Sequence, residues 1–137
     1  RKVPAMAFFH MPPAEFKEAY EKMKLGDHSV IYEHGSIGEK DEYFGISNRP
    51  PHFFEKAVDN GWLKWIFCGH DHLNTLSLTY KGIRMTYGMS IDYLGYSGIA
   101  KQYIQRGATL ITRKTNGNID ITMVPLTTVV STRVRGA

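Results

Sequence analysis

Residues 3–9 (VPAMAFF) form a short apolar run that stops at His10-Met11-Pro12-Pro13, where two prolines force an extended turn. The run predicts a buried strand that delivers His10 at its C-terminal end. Over residues 14–24 (AEFKEAYEKMK), Phe16, Tyr20 and Met23 share one helical face, with Gly26 as the stop, so an amphipathic surface helix is expected. From residue 26 to 51 the pattern dissolves into Gly, Ser, Asp, Asn and Pro around pieces such as Val30-Ile31-Tyr32. That stretch predicts a long loop of the functional or mobile kind.

Pro51 opens a second helix over residues 52–60 (HFFEKAVDN), ended by Gly61. A second buried strand is predicted at residues 62–68 (WLKWIFC), stopped by Gly69 and followed at once by His70-Asp71-His72. Residues 73–80 and 83–87, joined by Lys81-Gly82, read as a hairpin, and residues 88–98 as a Gly- and Tyr-rich loop. A further hairpin pairs residues 108–114 with 118–124 around Asn116-Gly117, a sequence favoured in type I′ turns. The order predicts an α/β (α+β) chain, a mixed sheet with helices on one face and antiparallel hairpins at the end. Residues 1–125 belong to one domain on this reading and residues 126–137 to a tail.

Composition changes this picture little. The 137 residues are 42% hydrophobic and 22% charged, an ordinary globular balance. No apolar run approaches the roughly 18 residues of a membrane span, so a soluble chain with no membrane partner is expected; the sequence leaves cytoplasmic and exported locations equally open. The chain starts at Arg1 without a signal-peptide pattern and reads as a piece of a longer protein. Cys68 is its single cysteine, so any metal site must use histidine and oxygen ligands. A net charge of +4 suits an anionic substrate without requiring one.

The histidines carry the candidate chemistry. In an extended segment residues i and i+2 face the same side, so His70 and His72 can present two imidazoles to one cavity. Six histidines in 137 positions make about 0.26 such pairs expected by chance, so spacing alone is weak. Position is more telling, because His10 and His70 each follow an apolar strand, and ligand sites in α/β sheets gather beyond the carboxyl ends of strands. The alternative is that they are ordinary loop histidines.

Cys68-Gly69-His70-Asp71-His72-Leu73-Asn74 resembles the Gly-His-x-His signature of calcineurin-like metallophosphoesterases, and Ala7-Phe8-Phe9-His10-Met11-Pro12 resembles their preceding strand-end histidine block. The segments 35–39 (GSIGE), 82–88 (GIRMTYG), 93–96 (YLGY) and 106–108 (RGA) are similar to the purple acid phosphatase branch, its small members in particular. The resemblance covers roughly residues 4–125. It implies the C-terminal half of a β-sandwich flanked by helices, with His10 and His70 on one metal and His72 on a second. It further implies two divalent or trivalent ions (Fe, Mn or Zn), a phosphate mono- or diester substrate, and hydrolysis by a metal-activated water. The family's Asp and Asn ligand motifs are missing; Gly26-Asp27-His28 has the wrong neighbours and lies out of order. The catalytic residues are therefore expected in an absent N-terminal half, this piece alone is expected to be inactive, and the face left by that half could mediate homo-oligomers.

His34, Glu39 and Tyr93 are candidates for substrate binding, with Glu39 alternatively orienting a histidine. His28 and His52 read as surface residues. Alternation points Asp71 away from the two histidines beside it, and Asn74 is suited to a hydrogen bond with a neighbouring loop. Cys68 reads as a small buried apolar residue. The competing class is a non-catalytic anion- or nucleic-acid-binding module, against which the scattered Lys and Arg and the lack of a nucleic-acid motif both count.

Overall fold

Residues 3–46, 52–102 and 104–126 are described by a computed structural model. The chain divides into two units, residues 1–88 and 89–137. In the first, β1 (Ala5–Phe9), α1 (Ala14–Lys24), β2 (Val30–His34), α2 (His52–Asn60), β3 (Leu63–Cys68), β4 (Ser77–Tyr80) and β5 (Ile83–Tyr87) build a five-stranded mixed sheet in the order β1-β3-β5-β4-β2. The strands β1, β3 and β5 run parallel, and β4 and β2 continue the sheet antiparallel. Both helices match the sequence expectation.

Strand alternation decides which face is buried. Ile66 and Cys68 of β3, Leu78 and Tyr80 of β4, and Ile83, Met85 and Tyr87 of β5 pack against Phe16 and Ala19 of α1 and Phe54 and Ala57 of α2. The opposite face of β4 and β5 is polar. There Ser77 Oγ and Thr86 Oγ1 are 2.7 Å apart, and Arg84 donates to Ser77 and pairs with Glu33 at 3.5 Å. Phe8 and Phe67 stack on that same face at 5.1 Å.

Three expectations change in this unit, beginning with β1, read as a buried strand, none of whose residues is buried because it lies at the end of the sheet order. The stretch read as a long loop contains β2, an edge strand whose Val30 is buried opposite Tyr80 while Ile31, Tyr32 and Glu33 stay exposed. One buried residue in five leaves no alternation to read. The strand expected from residue 73 begins at Ser77, because Leu73 to Leu76 are drawn into the loop that follows His72. Lys81 and Gly82 both have positive φ, as a two-residue type I′ turn demands.

The second unit is built on the antiparallel pair β6 (Gly107–Arg113) and β7 (Ile119–Pro125). Its turn is not type I′. Among residues 114–118 only Gly117 has positive φ, at 87°, and its N–H donates to the Lys114 carbonyl, giving a three-residue loop with a left-handed glycine at its end. Arg106 is buried and donates to the carbonyls of Asp92, Ile104 and Ile99, which ties the Gly- and Tyr-rich loop together. The expected tail from residue 126 lies, after Leu126, outside the described residues.

Candidate metal centre

Because β1 and β3 are parallel neighbours, their C-terminal ends emerge side by side. The Gly69 N–H donates to the His10 carbonyl at 3.0 Å and the Gly88 N–H to the Cys68 carbonyl at 2.8 Å, locking the three parallel strand ends together. His70 then adopts φ of 70°, a left-handed conformation uncommon for a side-chain-bearing residue and often found at functional positions. Its ring meets that of His10 edge-on, with centroids 5.0 Å apart at 81°, and Nδ1 of His70 lies 3.1 Å from Nε2 of His10.

Two neutral rings at that separation share one hydrogen bond. The same separation is the bite of two imidazoles on one ion. With metal–nitrogen bonds of about 2.0–2.1 Å, adjacent nitrogens stand about 2.9 Å apart in an octahedral shell and about 3.4 Å apart in a tetrahedral one. The 3.1 Å separation lies between those two values and is equally that of a hydrogen bond. Among the described residues no group of three or more His, Cys, Asp or Glu is arranged to hold a metal.

The loop from residue 36 to 45 forms the wall behind His70. Residues 70–72 form a turn with His70 left-handed and not the extended segment expected, so the i, i+2 alternation read from the sequence does not apply there. The buried Asp71 carboxylate accepts the Gly45 N–H at 3.1 and 3.0 Å and the Tyr87 hydroxyl at 2.5 Å. Burial, and then the Asp71 carboxylate, push the Tyr87 phenol well above its ordinary range, so it remains a donor. Gly45 lies directly against the imidazole, since a Cβ there would fall 2.0 Å from His70 Cδ2 and 2.5 Å from Nε2.

A second clamp lies three residues further on. Asn74, fully buried, accepts the Gly38 and Glu39 N–H groups on Oδ1 and donates from Nδ2 to the Tyr43 carbonyl. Glu39 Oε1 accepts the Leu73 N–H at 3.0 Å, and Phe44 packs against Phe16 and Tyr87 to anchor the loop in the core. Gly45 and Phe44 were not singled out in the sequence. The one available signal was Gly45 itself, a glycine beside an aromatic residue within a polar loop.

His72 is half-buried two residues beyond His70. His34 closes β2, where burial, then Arg84, lowers its pKa; its Nε2 is buried without a hydrogen-bond partner among the described residues. Glu39 serves as a clamp between loops, and Tyr93 lies in the second unit beneath the Arg106 guanidinium at 4.9 Å. His28 and His52 are exposed, as expected of surface residues. Cys68 is buried, which pushes its thiol up and keeps it protonated.

No family model and no solved structure matches the chain. Three curated proteins of Arabidopsis thaliana do. It is 28% identical over 93 residues to "Probable inactive purple acid phosphatase 29" and 31% identical over 93 residues to "Probable inactive purple acid phosphatase 28"; each match covers 68% of this chain, and 21% and 20% of those proteins. It is 38% identical over 47 residues to "Probable inactive purple acid phosphatase 14", covering 34% of this chain and 12% of that protein. The chain thus spans about a fifth or less of the length of these relatives. At low identity, over two thirds of its residues, this chain is similar to proteins named as purple acid phosphatases.

Proposed function

We infer that His10 and His70 are ligands of one metal ion in a phosphoesterase centre, that His72 serves a second ion, and that the complete protein hydrolyses phosphate mono- or diesters. One observation carries this reading: two imidazole nitrogens brought to 3.1 Å from residues 60 apart in sequence, at the ends of adjacent parallel strands. Two bound ions would neutralise charge on the phosphoryl group and supply a nucleophilic water. Fe, Mn and Zn all suit mixed histidine and carboxylate ligation. The residues of this chain do the holding, with Asp71, Gly45 and Tyr87 fixing the turn that presents His70. The carboxylate ligands are assigned to the part of the protein outside this chain.

The names of the relatives favour a second reading, since they describe those proteins as inactive. On it, the chain is part of a module that binds an anion or nucleic acid without turnover. Hydrolysis of an aryl phosphate by the complete protein, loaded in turn with Zn, Mn and Fe, separates the two. The hydrolytic reading expects turnover that His70→Ala and His72→Ala abolish; undiminished activity in both variants overturns it. Metal uptake without turnover selects the second.

A further inference from the structure

The loop at residues 36–45 is clamped to the segment that follows His70 at two points: the Gly45 N–H donates to Asp71, and the Gly38 and Glu39 N–H groups donate to Asn74. Both clamps travel with His70, because residues 71–74 continue directly from it. They hold loop and imidazole to each other. The Tyr87 hydroxyl ties this assembly to β5 through Asp71, and a single point of attachment permits rotation. A fixed orientation for the imidazole needs a second anchor, on an element outside residues 71–74.

That anchor is α1. Phe44 packs on Phe16 and Tyr20, with ring centroids 5.9 and 5.4 Å apart. Two residues earlier, the Glu42 carboxylate accepts the Tyr20 hydroxyl on Oε1 at 2.8 Å and Lys24 Nζ on Oε2 at 2.5 Å. Both its oxygens are thus held by side chains one helical turn apart. The backbone that presents Glu42 is left-handed at two consecutive residues with side chains, Asp41 at φ 56° and Glu42 at φ 53°. Such a pair is costly, and hydrogen bonds from a charged and a hydroxyl donor to a carboxylate are the kind that offset the cost.

We propose that Glu42 is a positioning residue of the candidate metal centre, latching the apex of the loop to α1 so that Gly45 keeps the His70 imidazole beside His10. Its effect on metal rests on the reading of the two histidines as ligands; its effect on the rings does not.

Nitrogen NMR of the imidazoles in the metal-free chain reads the ring pair directly, since a bond between His70 Nδ1 and His10 Nε2 should couple the two nitrogens. Glu42→Lys and Lys24→Glu each set like charges together at the latch. Either should weaken that coupling and speed exchange of the Gly45 amide by up to about fivefold, the scale of an exposed ion pair. Combining the two changes restores opposite charges and should return both readings towards wild type. Co2+ affinity should fall over the same range in the single variants and recover in the double one. If a charge-reversed chain fails to fold, Tyr20→Phe decides: it keeps the ring against Phe44, removes only the hydroxyl donor, and should show the same effects more weakly. A wild-type chain without the coupling, no effect in the single variants or in Tyr20→Phe, or a double variant as perturbed as the singles overturns the proposal. So does exchange that accelerates equally through α2, β3 and β5, which would make Glu42 a residue of general stability. A coupling that follows the latch in a chain that takes up no Co2+ upholds the role of Glu42 and refutes the two histidines as ligands.

Discussion

At the scale of single residues, the geometry of the candidate centre depends on a position with no side chain. Gly45 sits so close to His70 that a methyl group would overlap its ring and come within 2.7 Å of Asp71 Oδ1. Gly45→Ala must therefore displace the imidazole from its present place beside His10. Loss of an outer-shell support typically costs about 10–100-fold in metal affinity; titration of the chain with Co2+, followed by visible absorption, should show a loss of that order. An unchanged affinity would mean that the loop does not position His70. Tyr87 acts one step further back. Tyr87→Phe removes a buried donor to a carboxylate, an interaction worth about 1.5–3 kcal/mol, and urea unfolding should record a loss in that range. The phenol also sets a pH limit. Its folded pKa is raised above the unfolded value of 10.0, so its contribution is intact below that pH and lost as pH climbs past it, when only the unfolded state ionises. Stability should fall above about pH 10, and more shallowly in Tyr87→Phe.

At the scale of elements, the strand ends were legible and the loop that supports them was not. Apolar runs stopping at His-x-Pro and Gly-His announced two strands that are parallel neighbours, which is why His10 and His70 meet; β3 is buried as expected, whereas β1 has no buried residue. Nothing local could announce β2, whose one buried residue is specified by Tyr80, 50 positions away. The wall behind His70 was hidden for a related reason. Its hydrogen bonds join Gly45 to Asp71 across 26 residues and Gly38 to Asn74 across 36, and periodicity carries no information over such distances. Asn74 nevertheless showed itself as a side chain suited to bridging loops. Asn74→Ala should release the Gly38 and Glu39 amides, so hydrogen exchange should accelerate across residues 36–45 while α1 keeps its protection. Uniform acceleration throughout the first unit would instead assign Asn74 to global stability alone.

At the scale of the whole molecule, two nitrogens are too few for a two-metal centre. Each ion in such a centre needs several ligands, some of them carboxylates to offset its charge, and no described carboxylate joins His10 and His70. Asp71, the nearest acid in sequence, is committed to Gly45 and Tyr87, and the chain as a whole carries +4. The 137-residue chain should therefore bind one ion through the pair, not two, and hydrolyse no aryl phosphate. Calorimetric titration with Zn2+ should give one weak site that disappears in His10→Ala and in His70→Ala, whereas His72→Ala should leave it in place if that residue serves the other ion. Two tight sites would require ligands that the described residues do not bring together. Loss of the single site in His72→Ala would place all three histidines on one ion, contrary to the division that the family resemblance implies.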